Sequence, residues 1–383
     1  MSSGKIKLRG ITWDHSRGLV PMVATAQRFG ELHPEVDIQW VKRSLQDFAD
    51  KPLGQLASDF DMIVIDHPWA GFVAKNQTLV PLDEYLPEAF MADQAANSVG
   101  ASHRSYTYDG HQWALAIDAA TPVASCRPDL LEQRGLKLPQ TFDDVLALAS
   151  DGHVIFPAIP IDTLMNFYMF CLAHGEEPFL SESEVVSPEV GVKALQTMRQ
   201  LAQLVDPACF DMNPIKVYEA MSRTDKYVYC PFAYGYTNYS RPGYAQNLLQ
   251  FHDIVSFGST GKLRSTIGGT GLAISRTCQH VDIAVKYAEF VASAECQRTL
   301  YFATGGQPGH RAAWTDTFNN SYAADVLQST LPTLDRAFLR PRYNGYMHFQ
   351  DHGGNPIRNY MMHGGSEEKV LNELNILYNE SRK

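Results

Sequence analysis

The sequence predicts an α/β protein of two lobes, and three observations carry that expectation. The first sixty residues alternate strand and helix. The chain is 383 residues long, against roughly 150 residues for an ordinary domain, which favours two lobes over one. Hydrophobic residues at 45% beside charged residues at 19% supply ample apolar surface for packed cores.

The opening strand is "KIKLRGITW". A helix follows over "LVPMVATAQRFGELHP", where Val20, Val23, Ala24, Ala26 and Phe29 recur at helical spacing. It ends where Pro34 forbids continuation. "VDIQWVKR" alternates as a second strand, "SLQDFADKPLGQLAS" is a helix opened by a Ser44 N-cap, and "FDMIVIDHPW" is a third strand, apolar enough to be covered on both faces. This β-α-β-α-β order predicts a mostly parallel sheet flanked by helices. In such sheets ligands gather beyond the carboxyl ends of the strands. Trp13, Asp14, His15 and Arg17 after the first strand, and Asp66, His67 and Trp69 after the third, therefore aim at one edge.

From Tyr106 to Ser150 the sequence predicts a hairpin turning at Asp109-Gly110, further strands, a helix from about Pro128 and a helix capped by Thr141 with acids in its first turn. A second β/α set follows: "HVIFPAIP", an apolar helix around Met165 to Ala173, the helix "VGVKALQTMRQLAQLV", the strand "KYVYCPFAYGYTNYS" and "HDIVSFGST". "TIGGTGLAISRTC" reads as a glycine-rich crossing into a strand, and "VDIAVKYAEFVASAECQRTLYFATG" as a long helix. The remainder, from about Ala312, is helical with a polar, aromatic loop "RPRYNGYMHFQDHGGNP" interrupting it.

Composition excludes several classes. With 32 basic and 42 acidic residues the net charge is −10, and no Lys/Arg block provides a footprint for phosphate backbones, so nucleic acid is not an expected partner. No apolar run approaches the roughly 20 residues of a membrane span. The start lacks the apolar stretch of about 7 to 15 residues of a signal peptide, which leaves two expectations: a periplasmic protein whose leader was removed, or a cytoplasmic one. The six cysteines show no CxxC and sit mostly in apolar contexts, as small core residues in a reducing compartment do. No cofactor is expected. His348, Asp351 and His352 are spaced like weak metal ligands, but no second motif supports them, so no metal is expected either.

The order of three phrases resembles the extracellular solute-binding proteins of ABC importers, in the branch that includes sugar binders. They are "FDMIVIDHPWAGFVAKNQTLVPLDEYLP", "YDGHQWALAIDAATPVASCRPDLLEQRGLKLPQTFDDVLALA" and "IGGTGLAIS…DIAVKYAEFVAS", spread over nearly the whole chain. The resemblance implies a type II periplasmic-binding-protein fold: two α/β lobes joined by hinge crossings, with a ligand cleft between them. One lobe would hold residues 1–117 and 265–315, the other 118–264 and 316–383. It implies a monomer that binds a small-molecule ligand and, if exported, meets an ABC permease.

On this frame the candidate ligand-binding residues are Trp13, Asp14, His15, Arg17, His67, Trp69, Asp118, Tyr234, Tyr236, Thr270 and Arg311. A carboxylate accepts paired hydrogen bonds from sugar hydroxyls, an indole or phenol face stacks on a ring, and Arg clamps a carboxylate. Against these stand ordinary roles: helix capping for Asp14 and Asp66, a hinge turn for Asp118 and Thr121, and strand burial for the tyrosines near Asn238 and Tyr239. "GGTG", Gly268 to Gly271, lacks the Lys-Ser/Thr of a phosphate loop, leaving a crossing with Thr270 near ligand. The expected solute is a sugar, a sugar acid, or a small organic or aromatic acid. The gathering of His15, Arg17, His67 and Arg311 beside one acid favours a ligand that carries a carboxylate. The alternative is a cytoplasmic sensor or enzyme on the same fold, with Asp14, His15 and His67 doing acid/base work and Cys230 as nucleophile.

Overall fold

The protein is described by a computed structural model over residues 5–44 and 53–383. The chain forms two compact units: unit 1 is Met1–Ala120, Gly268–Asn320 and Arg342–Asn344, and unit 2 is Thr121–Ile267, Ser321–Pro341 and Gly345–Lys383. The described strands are β1 (Ile6–Trp13), β2 (Val36–Arg43), β3 (Met62–Ile65), β4 (Thr107–Tyr108), β5 (His111–Gln112), β6 (Leu115–Ala120), β7 (Pro122–Cys126), β8 (Tyr229–Tyr234), β9 (Gln250–His252) and β10 (Gly268–Ile274).

Unit 1 is built on the five-stranded sheet β2-β1-β3-β10-β6. β1 pairs in parallel with β2 from Ile6–Val36 to Trp13–Arg43, and with β3. β10 runs antiparallel to both β3 and β6, so β6 shares the direction of β3. All four residues of β3 are buried, because the sheet is covered on both faces: Met62 and Val64 enter one core with Leu8, Leu115, Ile117 and Leu272, and Ile63 and Ile65 enter the other with Ile11, Ala116 and Ala273. The turn between β4 and β5 has positive φ at Asp109 (52°) and Gly110 (81°), the geometry an Asp-Gly hairpin favours.

The first helix, Ser16–Leu32, is rotated from the face its apolar pattern suggests. Val20 and Val23 are exposed, while Gly18, Pro21, Met22, Thr25, Ala26 and Phe29 are buried. Thr25 is drawn inward because its hydroxyl has partners there: the Pro21 carbonyl at 2.8 Å and the Tyr287 hydroxyl at 2.9 Å. The start of the helix expected from Ser44 lies on residues 45–52, outside the described residues; a helix is described over Leu53–Asp59.

Unit 2 combines the antiparallel sheet β8-β7-β9 with helices that include Phe142–Ser150, Pro160–Ala173, Pro188–Ala202 and Tyr346–His363; Phe170 of the second meets Phe232 of β8 edge-on, and the last two pack on that helix. Thr141 caps the first of these through a reciprocal capping box with Asp144. Four expectations need correction. The strand read over "KYVYCPFAYGYTNYS" covers only Tyr229–Tyr234, and the long helix read over "VDIAVKYAEFVASAECQRTLYFATG" stops at Ala292, where the extended backbone of Ser293 caps a second start at Ala294. Of "HDIVSFGST", residues 252–260, only His252 is in a strand, as the last residue of β9 (Gln250–His252). The supposed loop "RPRYNGYMHFQDHGGNP" is helical from Tyr346 onward despite Gly353, Gly354 and Pro356. The glycine serves contact: a Cβ on Gly354 would lie 1.8 Å from the Pro160 carbonyl oxygen of the neighbouring helix. The hydrogen bond that Pro356 cannot donate is replaced, since the His352 carbonyl accepts from Asn355 Nδ2 at 3.2 Å.

Candidate functional site

Because β1, β3 and β6 share one direction and β10 opposes them, the residues after β1 and β3, the end of β6 and the start of β10 meet on one edge of unit 1. The opening cluster divides its labour there. Trp13 belongs to the core; its indole lies so close beneath the helix that a Cβ on Gly18 would meet the ring at 2.5 Å. Asp14 is exposed and pairs with Lys42 Nζ at 2.8 Å. His15 is the N-cap, its Nδ1 accepting from Arg17 N–H at 3.0 Å. Burial, reinforced by the Arg17 charge, lowers the His15 pKa to about 4.

Arg17 turns inward. Its Nε donates to Asp118 Oδ2 at 2.8 Å and its Nη2 to Asp118 Oδ1, a bidentate pair with both side chains buried. Burial pushes the Asp118 carboxyl up, and the Arg17 charge and hydrogen bonds oppose that shift. Thr270 lies opposite Asp118 in the β10–β6 register, and its buried hydroxyl has no hydrogen-bond partner.

His67 opens a short 3₁₀ turn capped by Asp66 and is fully buried, its ring edge-on to Tyr106 at 6.3 Å. Trp69, half-buried, meets Phe72 edge-on at 5.3 Å. Arg311 stands apart from this edge. Gln307 lies beside Ala119 and Gly309 beside Ile117, so the chain moves toward the amino end of β6 before Arg311, whose Nη2 donates to the Ser98 carbonyl at 3.4 Å.

Unit 2 has an edge of its own. Pro122 pairs with Tyr234, and Val154 bridges Tyr229 in parallel, so Thr121, the segment after β8 and the start of helix Pro160–Ala173 emerge together. Thr121 Oγ1 is 2.6 Å from Ser265 Oγ, and the Tyr234 hydroxyl is 2.9 Å from Thr266 Oγ1. Tyr236 is buried edge-on to Tyr218 at 6.3 Å, and the Tyr239 hydroxyl donates to Glu219 Oε1 at 2.8 Å. Asn238 and Arg241 are buried beyond them, and desolvation lowers the Arg241 pKa to about 10. Cys230 is fully buried inside β8, where desolvation raises its thiol pKa. A nucleophile requires the opposite shift.

Two residues that sequence reasoning passed over stand at this edge. Asp162 and Asn166, one turn apart on helix Pro160–Ala173, are buried, and Asp162 Oδ2 and Asn166 Nδ2 have no hydrogen-bond partner. Burial alone lifts the Asp162 pKa to about 8. Their signal in the sequence is an acid and an amide four apart at the head of an otherwise apolar helix. His348 and His352 stack at 4.6 Å on an exposed helical face, and among the described residues no group of three or more His, Cys, Asp or Glu has the geometry to hold a metal ion. No described helix is long and apolar enough to cross a membrane.

A profile of the family described as bacterial extracellular solute-binding protein matches residues 24–325. Solved structures of similar fold include the maltose-bound MalE3 of T. maritima, 17% identical over 98% of this chain and 99% of that chain at a TM-score of 0.82. A solute-binding protein of an ABC transporter from Agrobacterium radiobacter in complex with ribitol is 18% identical over 98% and 99%, also at 0.82. One from Thermotoga lettingae bound with α-D-tagatose is 16% identical over 99% and 100%, at 0.80. At these identities the likeness establishes the fold, a two-lobe α/β architecture.

Proposed function

The chain belongs to the bacterial extracellular solute-binding proteins, and from that premise we propose that it is the solute-binding component of an ABC importer for an uncharged polyhydroxy compound, a sugar or polyol. The observation that carries the ligand's charge is the buried Arg17–Asp118 pair. By sequence alone Arg17 belongs with the cations that call for a carboxylate on the ligand. Here its charge is matched within the protein, His15 is neutral at pH 7 because its pKa is lowered to about 4, and Arg311 is bonded to the Ser98 carbonyl away from the edge. Maltose, ribitol and tagatose, carried by the similar structures, are polyhydroxy compounds without charge. The protein acts outside the cytoplasmic membrane, as a monomer that delivers its solute to a permease.

A thermal-shift panel tests this reading. Maltose, ribitol and tagatose are compared with sugar acids and aromatic acids at pH 6 and pH 8. A neutral solute at 100 times its dissociation constant adds about 2.7 kcal/mol of stability and a clear rise in Tm. Shifts confined to the acids overturn the assignment.

A further inference from the structure

Helix Pro160–Ala173 is buried along nearly its whole length, so any polar residue on it needs a reason. Thr163 has one: its hydroxyl donates to the Pro160 carbonyl at 2.8 Å and to the Gly354 carbonyl at 3.2 Å. Asp162 and Asn166 have no such partners. They are 5% and 4% exposed, and Asp162 Oδ2 and Asn166 Nδ2 are buried without a hydrogen bond. Each such orphan is a cost to folding that a ligand's hydrogen bonds would offset. Four residues apart, they share one face of the helix.

The surroundings of that face tie it to the edge described above. Asp162 is near enough to Cys230 in β8 to raise the thiol's pKa. The parallel bridge from Val154 to Tyr229 carries the segment before the helix alongside β8, so the head of the helix leaves the sheet where Tyr234 and Tyr236 do. We propose, resting on the reading of a polyhydroxy solute given above, that Asp162 and Asn166 form a subsite that grips two adjacent hydroxyls of that solute.

The chemistry of the pair fits a diol. With its pKa at about 8 through burial, Asp162 is an uncharged acid at neutral pH, and the titratable neighbour it influences, Cys230, is held protonated as well. A protonated carboxyl offers one O–H donor and an acceptor oxygen, and a carboxamide offers two N–H donors and an acceptor oxygen. Adjacent hydroxyls present the matching alternation, each able to donate and to accept. A carboxylate presents acceptors alone and cannot match that alternation.

The test is titration calorimetry with maltose, ribitol and tagatose on the full chain, comparing wild type with Asp162→Leu and Asn166→Leu, each near-isosteric and apolar. Each leucine variant is expected to weaken binding of the recognised solute tenfold or more while its Tm without solute stays level or rises, since an orphaned polar atom has been removed. Leucine variants that bind as tightly as wild type overturn the subsite and assign the pair to buried water only. Should the leucine variants fail to fold, Asn166→Asp decides the point: it exchanges the amide for a second acid beside Asp162, and unchanged affinity at pH 8 overturns the proposal. Wild-type protein that binds none of the three solutes overturns the functional reading and the subsite with it.

Discussion

Arg17 and Asp118 lie 101 positions apart in sequence and meet as a buried bidentate ion pair, fixing the first turn of helix Ser16–Leu32 to the end of β6. The pair links the helix that follows β1 to β6, although β3 and β10 lie between those two strands in the sheet.

Removing one partner should be costly. Asp118→Leu leaves the Arg17 guanidinium buried without a countercharge, and urea denaturation should show a loss of about 3–5 kcal/mol. The double change Arg17→Met with Asp118→Leu should recover most of that loss, since apolar residues of similar volume often replace a buried pair without penalty. A single-variant loss below about 1 kcal/mol would mean that Arg17 reaches water in solution.

His15 makes stability fall toward acid pH. Its folded-state pKa of about 4 lies below its ordinary value of 6.5, so the unfolded chain binds the proton more readily between those values. The stability it contributes is complete above pH 6.5 and is lost as pH falls toward 4. His15→Asn keeps a good N-cap and removes the titration. Tm measured from pH 7 down to pH 4.5 should decline more steeply in wild type than in the variant, and parallel declines would show that His15 is solvated.

The cysteines should be inert in the native state. All six are buried and unpaired, and desolvation raises Cys126 and Cys296 to about 12 and Cys209 to about 11. A thiol-exchange reagent at pH 8 should find almost no reactive group until denaturant is added, then all six. Fast labelling of one thiol in the folded protein would identify a solvent path to it.

The alternation of the first three strands was legible because apolar runs bounded by Pro and Asp report local structure directly, and β3 is buried on both faces as its sequence suggests. Helix Tyr346–His363 was not legible, because its glycine answers to the Pro160 carbonyl of another helix and its proline is accommodated by the Asn355 side chain. The candidate site divides along the same line. That residues 13–17 and 66–69 lie off the carboxyl ends of strands follows from the order of elements, whereas the inward turn of Arg17 depends on Asp118, and the exposure of Asp14 on Lys42. Such side-chain directions are decided by partners far along the chain, which periodicity does not record.

The place of β10 in the sheet also sets a timetable. It lies between β3 and β6, yet the ribosome makes it only after β7, β8 and β9 are complete. Until residue 274 emerges, β3 and β6 face a gap one strand wide, each with an unpaired edge. The three-stranded sheet of unit 2 has all its strands by residue 252 and is the first of the two large sheets that can close during synthesis. A transcript cut short before residue 268 therefore yields a chain whose N-terminal sheet is open at its centre, prone to pair with a neighbouring nascent chain in place of its own missing strand.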